Sequence, residues 1–231
     1  MAVLAAWTWR ELRVDEPLLD PSIFTHRPLL LANLATATAG FVAFSTYFVV
    51  PHLAEGPEGV SAHRAGYGFG ANAAEAGLFL LPAAAGMVVT GPLSGPLTRR
   101  SGPRTPFLAG TTLMAAALVL LAAAHASPAP VYVALGVMGA GWGLTIGSAS
   151  VLVARSVPRQ ATGVSTAFNS VMRLVGGGIG GQVAAAILAA VTVAGTKAAS
   201  SSAIDIALWT ACGLAVVGAA LALAIPGGRN E

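Results

Sequence analysis

Charged residues along this chain gather into short bursts. Between the bursts lie six stretches with no Asp, Glu, Lys or Arg: 29–50, 76–97, 106–124, 131–154, 174–194 and 206–225. Each is close to the roughly 20 residues that an α-helix needs to cross a bilayer core of about 30 Å. None alternates apolar with polar residues as a barrel strand does, and a helix satisfies its own backbone hydrogen bonds in lipid. The pattern predicts an all-α membrane protein with six transmembrane helices, at about 29–50, 76–97, 106–124, 131–154, 164–194 and 206–225. Residues 1–9 (MAVLAAWTW) are apolar as well, but at about 1.5 Å per residue they cover less than half the hydrocarbon. No basic residue precedes them and Arg10 and Glu11 follow, so they are not a signal peptide. They read as the tail of a missing preceding helix. Residues 1–28 are then a cytoplasmic linker, 29–225 the six-helix bundle and 226–231 a cytoplasmic tail.

The connections orient the bundle. Those at 98–105, 125–130 and 195–205 are short, which makes successive helices antiparallel neighbours; 51–75 and 155–173 are longer. Six crossings put both termini on one face. That face holds Arg10, Arg13, Arg27, Arg99, Arg100, Arg104, Arg155, Arg159, Arg173 and Arg229, and the other holds Arg64 and Lys197. The bias places both termini in the cytoplasm of a multi-pass protein of the cell (inner) membrane. Charged residues make up 9% of the chain against about a quarter in a soluble domain, which agrees with lipid as the solvent. The net charge of +3 does not indicate a nucleic-acid partner, because the basic residues sit at helix ends with no stacking aromatics between them. A single cysteine, Cys212, excludes a disulfide framework and a CxxC metal or redox pair. No metal and no cofactor is expected.

The densest basic cluster follows the second span, in GPLSGPLTRRSGPR at 91–104. Within it Gly95, Leu97, Arg100, Gly102 and Arg104 spell G-x-L-x-x-R-x-G-x-R. Glycines permit a tight turn, and arginines at such a turn can bond the last carbonyls of neighbouring helices. This resembles the cytoplasmic loop motif of the major facilitator superfamily in its second-half version, at the same place in a six-helix bundle. The resemblance implies a gate-loop latch. Arg99 stands where the fuller motif has an acid, so an acid-centred network is not carried over. The Gly-Pro-x-x-Gly at 91–95 looks like the family's antiporter signature but lies on a different helix, and its role is not carried over either.

NAAEAGLFLLPAAAG at 72–86, the glycine-rich run 136–181 and EPLLDPSIFTHRPLL at 16–30 are similar, in order and spacing, to the last six helices and cytoplasmic linker of the fourteen-helix drug:proton antiporter branch. That implies half of a major facilitator fold, built from two inverted three-helix repeats. It also implies that the first and fourth helices line a path while the third and sixth face lipid.

The polar positions inside the spans are few. Asn33, Thr36, Gly40 and Tyr47 form one stripe of the first span, and Trp142 and Thr145 share a face of the fourth. Polar groups in hydrocarbon must face protein or water, so these residues, with Asn169 and Arg173, are candidates for a substrate path, interhelical hydrogen bonding being the other explanation. Arg173 has 21 uncharged residues after it, enough to span, which leaves it free to snorkel to the cytoplasmic face with Asn169 as its local companion. Gly139, Gly143 and Gly147, and likewise Gly177 and Gly181, repeat at four-residue spacing and are expected to let helices approach closely.

An enzyme is not expected. The four histidines, His26, His52, His63 and His125, lie at helix ends or in loops, so no serine–histidine dyad forms at depth. There is no G-x-x-x-x-G-K-[ST], and the G-x-G-x-x-G at 176–181 follows no strand. No acid lies within the six stretches, so a proton-coupled cycle needs its carboxylate elsewhere. The reading is transmembrane transport, efflux of small organic, drug-like molecules by alternating access, with this chain as a C-terminal half, possible truncation included. Its partners are the bilayer, a small-molecule substrate and an N-terminal half, from the same gene, a separate chain or self-association. The alternative is a membrane-embedded assembly protein with no transport cycle.

Overall fold

The computed structural model describes residues 27–56, 67–193 and 199–225. The expected linker up to residue 26, the tail 226–231, Arg64 and Lys197 lie outside the described residues. The elements are α1 (Arg27–Glu55), α2 (Ala73–Phe79), α3 (Leu81–Ser101), α4 (Arg104–Ala124), α5 (Pro128–Ala154), a 3-10 turn (Arg159–Ala161), α6 (Thr162–Ala190) and α7 (Ser201–Ala224). α2 and α3 are one span interrupted at Leu80, giving six segments long and apolar enough to cross a membrane.

Local sequence accounts for the ends. Asn72 caps α2 through the amides of Ala74 and Glu75, and Glu75 returns a bond to the Asn72 amide. Proline near the start of α3 and of α5 fits a first turn whose N–H groups have no helical partner. Gly102, at φ 77°, takes the left-handed conformation that stops α3 before α4 turns back. Most helices run past the uncharged stretches, since the last turn need not be apolar once it leaves the hydrocarbon. α6 does the reverse and stops at Ala190, where an antiparallel bridge between Thr192 and Ala199 draws the chain round.

Successive spans alternate in direction, as the packing at the two ends shows. At the basic end Leu29 of α1, Phe107 of α4, Leu152 of α5 and Ala222 of α7 form one apolar cluster. At the far end Phe79 stacks between Phe69 and Tyr132, with ring centroids 5.4 and 4.6 Å apart, and His125 Nε2 of α4 lies 3.8 Å from Asp205 of α7. Burial in the same region pushes the Tyr67 phenol above its ordinary value. The main core fills the space between.

The most extensive contacts join α1 to α6, α3 to α5, α4 to α5 and α1 to α7, followed by α4 to α7. Exchange the first three spans for the last three and this set maps onto itself: first-with-fifth becomes fourth-with-second, third-with-fourth becomes sixth-with-first, and third-with-sixth is unchanged. Two inverted three-helix repeats produce this pairing. Both long contacts close on glycine. A Cβ on Gly139 of α5 would run into the carbonyl of Ala83 on α3, and one on Gly176 or Gly180 of α6 into the carbonyls of Ala37 and Phe41 on α1. Without a hydrophobic drive between helices in lipid, this backbone proximity is where dispersion and interhelical bonds accrue.

Within this six-helix bundle α4 and α7 pack on each other, while α3 and α6 are the least covered and display Met87, Val88, Val89, Leu93, Leu174, Val175 and Ile179. One expectation is corrected. The glycine face of α6 is shifted by one residue. Gly176 and Gly180 carry the close approach, a Cβ on Gly177 would meet the Phe44 ring at 2.8 Å, and Gly181 has nothing within 4 Å of where a Cβ would stand.

Candidate functional site: a polar seam and a basic turn

The first and fourth spans are the most buried, because each is packed from both sides. Their polar side chains therefore end up between helices. Asn169 of α6 donates from Nδ2 to Asn33 Oδ1 at 2.9 Å and to Thr36 Oγ1 at 3.1 Å, both on α1. The Thr36 hydroxyl in turn donates to the Ala32 carbonyl at 2.8 Å. All three side chains are buried. One turn before Asn169, the Ser165 hydroxyl is buried with no hydrogen-bond partner. Ser165, Asn169 and Arg173 follow at i, i+4 and i+8, so they share one face of α6 and continue the polar track towards mid-helix.

Tyr47 lies half-buried beside the main core. Thr145 of α5 donates to the Gly141 carbonyl at 2.8 Å and touches Met114 Sδ at 3.9 Å, and Trp142 is buried in the core. Asn33, Thr36, Trp142 and Thr145 thus stand inside helix contacts and not on an open wall. Tyr47 and Arg173 keep partial exposure.

Arg173 differs from the expectation in one respect: Asn169 is committed to α1 and is not its companion. The backbone of Arg173 lies against Gly40, where a Cβ would meet the Arg173 carbonyl oxygen, and Gly40 is at the middle of the 29-residue α1. That is about 20 Å of helix from the basic end. Beyond Arg173 only residues 174–190 of α6 remain, about 25 Å, less than a full crossing. Both distances put the Arg173 backbone well inside the apolar length of the bundle, at a depth where an arginine head that stayed in hydrocarbon would cost roughly 3 kcal/mol. Among the described residues the acids are Glu55, Glu75 and Asp205, all at the far end, and no ion pair or hydrogen bond engages the Arg173 side chain.

At the basic end the loop motif is laid out along the end of α3 and the start of α4. Gly95 has only the Arg99 side chain near it, Leu97, Arg99 and Arg100 are exposed, and Gly102 makes the turn. The two arginines of the last turn complement the helix dipole. Arg104 goes further: its Nη2 donates to the Leu223 carbonyl in the last turn of α7, and its buried Nε has no partner. One arginine of the motif thus ties the third span to the sixth. The carbonyl it meets is one of those left without an amide at a helix end.

Sequence reasoning missed several members of these contacts. Thr90 of α3 donates to the Ala140 carbonyl of α5 at 2.7 Å, and a Cβ on Gly86 would strike the carbonyl of Gly136. Only the small-residue spacing hinted at either. Gly143 and Gly147, which were expected to pack, face Thr90 and Ser94 of α3 across the same contact.

Comparison with known proteins supplies the family. Residues 2–181 match the profile of the Major Facilitator Superfamily. Over 173 residues the chain is 29% identical to "Multidrug resistance protein Stp" of Mycobacterium tuberculosis, covering 74% of this chain and 30% of that protein. Over 176 residues it is 28% identical to "Tetracenomycin C resistance and export protein" of Streptomyces glaucescens, covering 75% and 30%. Over 169 residues it is 24% identical to "Multidrug transporter protein MdtP" of Bacillus subtilis, covering 72% and 29%. The matched stretch is less than a third of each relative's length.

Proposed function

The chain belongs to the Major Facilitator Superfamily, and from that premise we propose that it is one six-span half of a membrane transporter exporting small organic molecules. Its place in the fourteen-helix drug:proton antiporter branch, with both ends cytoplasmic, is part of the proposal. The observation that carries it is the pairing of spans that survives exchange of the two triplets, in a chain similar to proteins named for multidrug resistance and export. Alternating access needs a second bundle to rock against. The apolar faces of α3 and α6 are the surface such a bundle would cover, whether it comes from the same polypeptide, another chain or a second copy. Arg104, holding the ends of α4 and α7 together, acts as the latch of one gate conformation. Asn33, Thr36, Tyr47, Trp142, Thr145, Asn169 and Arg173 belong to the wall that the cycle exposes.

Cells carrying the chain's own genomic locus are expected to accumulate less of a lipophilic fluorescent dye than cells without it, with accumulation restored by a protonophore. Equal accumulation in both would remove the efflux reading.

Burial of Thr36 and Thr145 favours a second reading, a membrane-embedded assembly protein without a transport cycle. Cysteines placed at Thr36 and Thr145 discriminate. Reaction of either with a membrane-impermeant thiol reagent during turnover supports transport. Protection of both, with no dye export, supports the assembly protein.

A further inference from the structure

Arg173 is a permanent cation whose backbone packs on Gly40 at the middle of the first span's length; the residue is half-buried and ends a polar track that begins with Ser165 and Asn169. A guanidinium is retained at that depth where something balances it, and the described part of the chain offers no acid within the spans. A phospholipid phosphate is the poorer match, because headgroups lie outside a hydrocarbon core about 30 Å thick and the Arg173 backbone lies well inside α6. The polar groups that precede it on the track are already engaged: Asn169 donates to Asn33 and Thr36 and fixes α6 on α1, which holds the Arg173 backbone in place while leaving its fork of donors unused.

We infer that Arg173 is the binding site for the anionic group of the transported molecule, a carboxylate or sulfonate on an organic body. The planar fork accepts two oxygens of such a group side by side, and the low dielectric around it strengthens the pair. One turn further along α6, Gly176 faces the Ala37 backbone and Gly177 the Phe44 ring, an apolar neighbourhood that suits the organic remainder. The same chemistry has a second source, an acidic side chain from a bundle completing the transporter, and the test separates the two. The inference rests on the transport reading above, but its readout is binding to the purified chain, so either can fail without the other.

The experiment uses the full chain in phosphatidylcholine nanodiscs, where no anionic lipid competes. The probes are naphthalene-2-sulfonate, the matched cation 2-naphthyltrimethylammonium and uncharged naphthalene. The wild-type chain is expected to bind the sulfonate roughly tenfold or more tightly than either other probe, as the loss of one charge-assisted contact implies. Arg173→Gln should remove that preference while leaving naphthalene binding unchanged. Arg173→Lys should keep part of it, since the ammonium keeps the charge and loses the fork. Should the glutamine variant not fold, the lysine variant decides: affinity for the sulfonate unchanged from wild type overturns the inference. So does a wild-type chain that binds all three probes alike, the result expected if the cation serves only a carboxylate of a second bundle.

Discussion

Asn169 is a single amide whose partners lie 133 and 136 residues away on α1. In hydrocarbon such a contact replaces an unsatisfied polar group, although measured values for interhelical bonds average below about 1 kcal/mol and reach about 2. Asn169→Leu keeps the volume and removes both donors. It should lower the thermal midpoint of the purified chain by a few degrees, about 1 kcal/mol. Asn33→Ala added to it should cost little more, because the two changes remove the same bond. Full additivity in differential scanning fluorimetry would mean that the two amides do not share a contact. Arg104 is tested in the same way. Arg104→Gln leaves the Leu223 carbonyl without its cation and should loosen the basic end, seen as faster hydrogen exchange in the last turn of α7 with α5 unchanged.

At the scale of elements, the contacts of α3 with α5 and of α6 with α1 are set by missing side chains. Gly139→Val puts branched carbon where the Ala83 carbonyl stands, and the helices must part. Overpacking costs typically 1–3 kcal/mol, so this variant should lose thermal stability and expose α3 to protease. Gly181→Val has open space and should behave as wild type. Equal losses from both substitutions would show that the glycines act through helix propensity and not through contact. The phase of that face could not be read from the sequence. Gly176, Gly177, Gly178, Gly180 and Gly181 lie within six residues, and four-residue spacing runs through 176 and 180 as well as through 177 and 181. Which pair faces α1 depends on how α6 is rotated, and the Asn169 bonds settle that.

At the scale of the whole molecule, the even number of crossings and the basic end are linked. If Arg27, Arg99, Arg100, Arg104, Arg155 and Arg159 lie on the cytoplasmic face, reporter fusions at both termini should give cytoplasmic signals. A periplasmic signal from either end would break the topology. The path is expected on the first and fourth helices; these lie at the centre of the six-helix bundle, and the most exposed surface is on the second and fifth, the faces a second bundle would cover. A helix wall can be polar because it is wet or because it is bonded to a neighbour, and residue types are the same in either case.

The crossing of a membrane by six helices, the positions of their ends within a turn or two and the gathering of arginines at one end were all determined by sequence, because transfer into lipid adds up residue by residue and is blind to neighbours. The packing of the Arg173 backbone on Gly40, Asn169's choice of Asn33 over Arg173 and the one-residue shift of the α6 glycine face were decided only by tertiary structure. Each depends on the rotation and height of one helix against another, a quantity that dispersion and hydrogen bonding between distant segments set and that no local run of side chains encodes.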